Sequence, residues 1–220
     1  MRKKITRRSF LKKAAATAVL SGMSTILLTQ QAPANISKNK KPNILFILND
    51  QERAWPYIPS HVDLPARRYL ENISTYFNRS YTSTPLCSPS RSSIYTGQHV
   101  QYTGVWDNTV APWVPGLHDG INTIGHLLRN NDYLTSYFGK WHLTNITESQ
   151  VNENSLGFEG MRKMFDKHGF TVSNQEGEKD LGQGGFIHDG PTAKNAANFI
   201  YDNKKSTSPW ASFINFVNPH

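Results

Sequence analysis

Cysteine is nearly absent: Cys87 is the only one in 220 residues. A lone thiol excludes an intrachain disulfide framework and a multi-thiolate metal site. Acidic side chains are missing from the first 41 positions, which hold ten Lys or Arg. The formal net charge of +8 therefore belongs to one end, because residues 42–220 carry 14 basic against 16 acidic side chains. That balance gives no basic face for a nucleic acid, and no nucleic-acid partner is expected. Long apolar runs are also lacking. The best stretch, Ala14–Leu28, is short and diluted by Ser, Thr and Gly, which argues against a membrane span. What is present, 37% hydrophobic residues and 25 aromatics, is enough to build a core.

The basic end reads as an address. Arg7 and Arg8 in "TRRSFLKK" precede the mild apolar stretch, and "APA" at Ala32–Ala34 offers a small-x-small cleavage site. Residues 1–34 resemble a bacterial twin-arginine export signal, which implies contact with the Tat machinery and a periplasmic or secreted destination. An uncleaved N-terminal anchor is the alternative. This route exports folded proteins, so a cytoplasmic modification can come first. Residues 35–41 read as a solvated linker, leaving 42–220 as the domain.

Apolar runs and turn formers divide the domain. "PNILFIL" (42–48) and "WASFINFV" (210–217) read as buried strands of a parallel sheet, and "YLTSYFGKWHL" (133–143) as a strand running into a loop. Helices are expected over 65–77, 121–132 and 190–205, the last with Pro191 near its start. Residues 144–189 are glycine-rich and polar and read as loops and short elements. Alternating strands and helices predict an α/β fold, a mostly parallel sheet flanked by helices. Polar clusters follow the apolar segments: "NDQ" at 49–51, "GKWH" at 139–142, "NPH" at 218–220 and "CSPSR" at 87–91. Together they predict one site along the C-terminal edge of the sheet.

Ser88, Pro89 and Ser90 are helix-start residues, placing Cys87 at or just before a helix N-terminus, where an anion is favoured. Arg91 follows one turn later on the same face, a guanidinium fork suited to sulfate or phosphate. A buried structural cysteine is the competing reading. Out of context, "GKWH" would serve equally as a surface turn, and Asn49 as a strand-end turn residue.

"PLCSPSRSSIYTG" resembles the signature of the type I sulfatases, Cys-x-Pro-x-Arg with a later Thr-Gly. "GKWH", "PNILFILNDQ" and "FVNPH" resemble further blocks of that family, in the family's order. The resemblance implies an alkaline-phosphatase-like α/β fold. It implies that a maturation enzyme oxidises Cys87 to formylglycine (3-oxoalanine). One hydroxyl of the aldehyde hydrate would attack sulfur and release the alcohol; the other would then expel sulfate as the aldehyde reforms.

The same resemblance implies roles for named residues. Asp50 becomes a ligand to a divalent cation, Ca²⁺ in the usual case with Mg²⁺ as the variant, alongside the residue derived from Cys87. Asn49 departs from the family's usual Asp and brings one negative charge fewer. Lys140 would bridge the sulfate and the aldehyde-derived oxygen, and His142 would contact the hydrate and act as a base; two residues apart on an extended segment, they would point the same way. His220 matches the histidine at the ester oxygen, a candidate acid for the leaving alcohol. Arg91 completes the catalytic set. Gln51 is a candidate support behind the ligands, and His99 a candidate for the cleft wall.

The expected reaction is hydrolysis of a sulfate ester, with a sulfated glycan or small molecule (aryl or choline sulfate) as substrate. The alternatives are a phosphate or phosphonate ester hydrolase of the same fold, or a non-catalytic fragment or binding protein whose Cys87 stays a thiol. Trp106, Trp113 and Trp141 could stack on a sugar or simply pack in a core. The length is about half of what the resemblance implies. An N-terminal portion, incomplete at its C-terminus, is therefore expected, with little turnover by residues 1–220 alone.

Overall fold

The computed structural model describes residues 41–54, 57–59, 61–144, 158–174 and 184–220, all within one unit spanning Lys41–His220. The export signal at 1–34 and the linker up to residue 40 lie outside the described residues.

The strands are β1 (Ile44–Asn49), β2 (Leu134–Gly139), β3 (Val172–Asn174) and β4 (Trp210–Phe216). They form a parallel sheet in the order β1-β4-β2-β3. Because every pairing is parallel, all C-terminal ends share one edge. Asp50 follows β1 there, Lys140 follows β2 and Val217 follows β4.

Side-chain alternation sends the strands' apolar residues to both faces. On one face Tyr137, Ala211 and Phe213 pack with Tyr95, Trp141, Phe165 and Phe170. This cluster holds Tyr95 of α2 (Cys87–Thr96) and Met164 and Phe165 of α5 (Phe158–Lys167). On the other face Phe138, Trp210 and Ile214 meet Ala196 and Phe199 of α6 (Gly184–Asn203). Helices thus cover both faces, as the alternation predicted. On β1, Leu45 and Ile47 are each about half exposed.

Several boundaries differ from the sequence reading. Helix α1 (Pro65–Ile73) stops short of Phe77, and none of its residues is buried to prolong it. Helix α4 (Ile124–Arg129) replaces the longer 121–132 expectation. Thr123 is its N-cap, accepting from Gly125 N at 3.0 Å, so the helix cannot begin earlier. Helix α3 (Val100–Thr103) is a single turn. Within 144–189, α5 and β3 are regular structure. Helix α6 starts at Gly184, six residues before the expected start, and holds Pro191 in its interior.

Candidate active site

Cys87 is the first residue of α2, preceded by Leu86 in an extended conformation that offers no side-chain cap. The missing cap comes from elsewhere: Asn108 Oδ1 accepts from Ser88 N at 3.1 Å. Ser88 and Thr109 exchange further hydrogen bonds, and Thr109 Oγ1 donates to His142 O at 3.3 Å. The 108–109 segment thereby ties the start of α2 to the loop after β2.

Asp50 sits where three elements meet. Its Oδ1 receives Cys87 Sγ at 3.4 Å, while Oδ2 lies 2.6 Å from Lys140 Nζ and 3.2 Å from Arg91 Nη2. Lys140 Nζ is also 3.8 Å from Cys87 Sγ. Asp50, Arg91 and Lys140 are all buried. Burial alone pushes the Asp50 carboxyl up, but the Lys140 hydrogen bond and the charges of Arg91 and Lys140 outweigh it and hold it below its usual value. For Cys87, burial pushes the thiol up, and the Asp50 charge adds to this against the opposing Lys140 charge. The thiol is therefore not an activated thiolate.

Arg91 does not present its fork to an open anion site. Its Nη1 donates to Lys140 O at 2.8 Å and to Asn215 Oδ1 at 3.1 Å, while Nη2 takes Asp50. The guanidinium is a brace across the ends of β1, β2 and β4. The expectation that Lys140 and His142 share an extended segment also fails. Gly139 has φ +88° and His142 has φ +55°, so the chain turns sharply after β2. A Cβ at Gly139 would overlap the Asn215 carbonyl. That carbonyl accepts from Lys140 N at 2.9 Å, so the glycine permits the close approach that sets Lys140. Gln51 repeats the left-handed turn after Asp50, with φ 55°, and is exposed.

His142 is buried, and its imidazole is pushed down to about 4, first by burial and then by the positive charges of Lys140 and Arg91. It is neutral near pH 7. His220 is exposed, yet its charge contributes to the lowering at His142. His99 is exposed at the N-cap of α3. Trp141 is fully buried in the aromatic core, whereas Trp106 and Trp113 are exposed.

Asn49 donates its amide to Glu52, which is also paired with Arg67. Asp50 and Asn49 offer oxygen donors of the kind a hard cation takes, but such an ion collects about six to eight. Among the described residues no group of three or more His, Cys, Asp or Glu could hold a metal ion. These residues fit one side of such a site and do not complete it.

Sequence reasoning missed Asn215 and Asn108. Asn215 Oδ1 receives both Arg91 Nη1 and, at 2.5 Å, Tyr95 OH, in full burial. Its signal was an amide inside the otherwise apolar "WASFINFV", a cost that a buried strand carries only with partners.

The sulfatase family model matches residues 42–220. Among curated relatives, an arylsulfatase K of Danio rerio is 27% identical over 190 residues, spanning 84% of this chain and 35% of the relative. An N-acetylglucosamine-6-O-sulfatase of Bacteroides thetaiotaomicron is 27% identical over 222 residues, 96% of this chain and 38% of the relative. The chain thus spans little more than a third of either. The crystal structure of a putative sulfatase from Bacteroides fragilis superposes with a TM-score of 0.65 at 21% identity, covering 83% of this chain and 45% of that one. This likeness identifies the alkaline-phosphatase-like fold.

Proposed function

The chain belongs to the sulfatase family, and we propose that the protein containing it hydrolyses sulfate esters at the strand ends gathered around Cys87. The observation that carries this reading is the convergence of Asp50 and Lys140 on Cys87 at the start of α2, with Arg91 bracing Asp50 from the same helix. One thiol, one ammonium and a helix N-terminus in a buried setting suit the tetrahedral, singly charged oxyanion group of a sulfate ester.

Cys87 is the precursor of formylglycine in this reading, installed by a maturation enzyme. That group, when present, would supply a hydrated aldehyde whose hydroxyl oxygen can take up a sulfuryl group and whose second hydroxyl allows its release. The raised thiol supports it, because a protonated sulfur at this position is a poor nucleophile. Lys140 holds the negative oxygens at that carbon and at the sulfate, with Asp50 fixing the ammonium. Arg91 holds Asp50 and the Lys140 backbone in register instead of touching substrate. His142, neutral near pH 7, accepts a proton, and His220 delivers one to the departing alcohol. Asp50 and Asn49 would hold a divalent cation, Ca²⁺ or Mg²⁺, which would offset sulfate charge.

A sulfated sugar is the substrate class favoured here, supported by the N-acetylglucosamine-6-O-sulfatase among the relatives. An exported, periplasmic or secreted protein fits the twin-arginine-like leader. The test is the full-length protein co-expressed with a formylglycine-generating enzyme, assayed on sulfated sugars, aryl sulfate, choline sulfate and matched phosphate monoesters. Turnover of sulfate esters, with the Cys87 peptide at the aldehyde mass, is expected. An active enzyme with an unmodified Cys87, or preference for the phosphate of a matched pair, would sink the reading.

A further inference from the structure

A single carboxylate holds two consecutive amides at the end of β4. Val217 N donates to Asp189 Oδ1 at 2.8 Å, and Asn218 N donates to Asp189 Oδ2 at 2.9 Å. Asp189 belongs to α6, so this grip ties a covering helix to the sheet's C-terminal edge. Charge-assisted bonds from both oxygens are the strong kind, and they fix position as well as distance. Val217 lies just past β4, where the strand's hydrogen-bonded pairing has ended and its amide needs another acceptor.

The gripped peptide is the root of the turn that carries His220. His220 N donates back to Val217 O at 3.1 Å, closing that turn. The junction with α6 has no slack. Gly185, one turn before Asp189, lies so close that an added Cβ would overlap the Asn218 side chain and stand 2.8 Å from Asn218 N. Contacts from two successive turns of α6 therefore fix the peptide from which the His220 imidazole is presented.

We propose that Asp189 is a positioning residue for the reaction, its carboxylate locking the Val217–Asn218 amides so that His220 stands at the leaving-group side of the site. This rests on the role given to His220 above. Asp189 touches neither substrate nor the reacting atoms; it acts through the turn. A misplacement of about 1 Å in a proton donor is enough to cost on the order of 10²-fold.

The substitution Asp189→Asn keeps the size and replaces one acceptor by an amino group that faces a backbone N–H. In the full-length, formylglycine-bearing protein, kcat is expected to fall roughly 10- to 100-fold on sulfate esters of poorly acidic alcohols. Esters of acidic phenols, whose leaving groups need no proton, should lose far less, and KM should change little. In a His220→Ala background, Asp189→Asn should add no further loss, since both remove one function. Asp189→Ser, which keeps a single acceptor, gives the same reading if the Asn variant does not fold. Equal losses on all leaving groups, full additivity with His220→Ala, or a silent His220→Ala in an active enzyme overturns the proposal. A wild-type protein with no sulfate ester hydrolysis fails earlier and overturns the proposed function itself.

Discussion

Lys140 Nζ lies 2.6 Å from Asp50 Oδ2, and Arg91 Nη2 reaches the same oxygen at 3.2 Å. One buried carboxylate therefore answers two buried cations, and the excess positive charge faces the Cys87 end of α2. Removing one member of a buried pair is costly because the partner's charge stays behind. Arg91→Met should destabilise by about 3–5 kcal/mol, since it removes at once the guanidinium's bonds to the Lys140 carbonyl, Asn215 and Asp50. Lys140→Met should cost less, because Arg91 still neutralises Asp50. Urea denaturation of the two variants checks the ranking; a costlier Lys140→Met contradicts it.

Asn215 is the buried node between Arg91 and Tyr95. Asn215→Leu removes the acceptor from both donors, and each must then lose a bond without gaining water. A loss of about 2–3 kcal/mol is expected. Denaturant midpoints with an unchanged m-value would report it; a variant as stable as wild type would show that the amide is dispensable.

Two histidines are held neutral by burial: His168, against Trp141, and His142 are each pushed down to about 4. In the unfolded chain they titrate near the ordinary 6.5. Between those values the unfolded state binds more protons, so stability rises with pH across the window and is lost as pH falls from about 6.5 towards 4. His168 lies outside the site and isolates the effect. His168→Phe should flatten the fall in melting temperature between pH 6.5 and 4.5; an unchanged slope rules out His168 as a source.

Cys87 in protein made without a maturation enzyme should react slowly with iodoacetamide. Burial and the Asp50 charge keep its thiol protonated above the usual range. Alkylation at pH 8 should run well below that of an unfolded control, and Lys140→Met should slow it further by removing the opposing positive charge. Alkylation as fast as in the unfolded control would show a thiolate and count against this electrostatic picture.

The strands and the location of the site were legible because they rest on short-range patterns. "PNILFIL" and "WASFINFV" are apolar on both faces, and the polar residues closing each segment must lie at one edge once the strands are parallel. Helix α5 was also within reach. Met161, Met164, Phe165 and His168 follow a helical spacing, hidden by the polar residues around them. The start of α6 was not. Gly184 and Gly185 are poor helix formers, and Pro191 lacks a donor, so propensity placed the boundary at 190. Burial of both glycines, and of Thr192, Ala196 and Phe199 beyond the proline, sustains the longer helix.

By itself the sequence determined the chemistry on offer: a lone Cys87 at a helix start, with Asp50, Lys140, His142 and His220 at segment ends. Spacing and residue type fix such things locally. Only the tertiary structure decided how those groups are used. Arg91 became a brace and not an anion fork, because three acceptors from three strand ends engage both terminal nitrogens of its guanidinium. Asn215, Asn108 and Asp189 gained their roles from partners tens of residues away. A hydrogen bond between distant segments leaves no periodicity in the chain, and only the fold brings its two ends together.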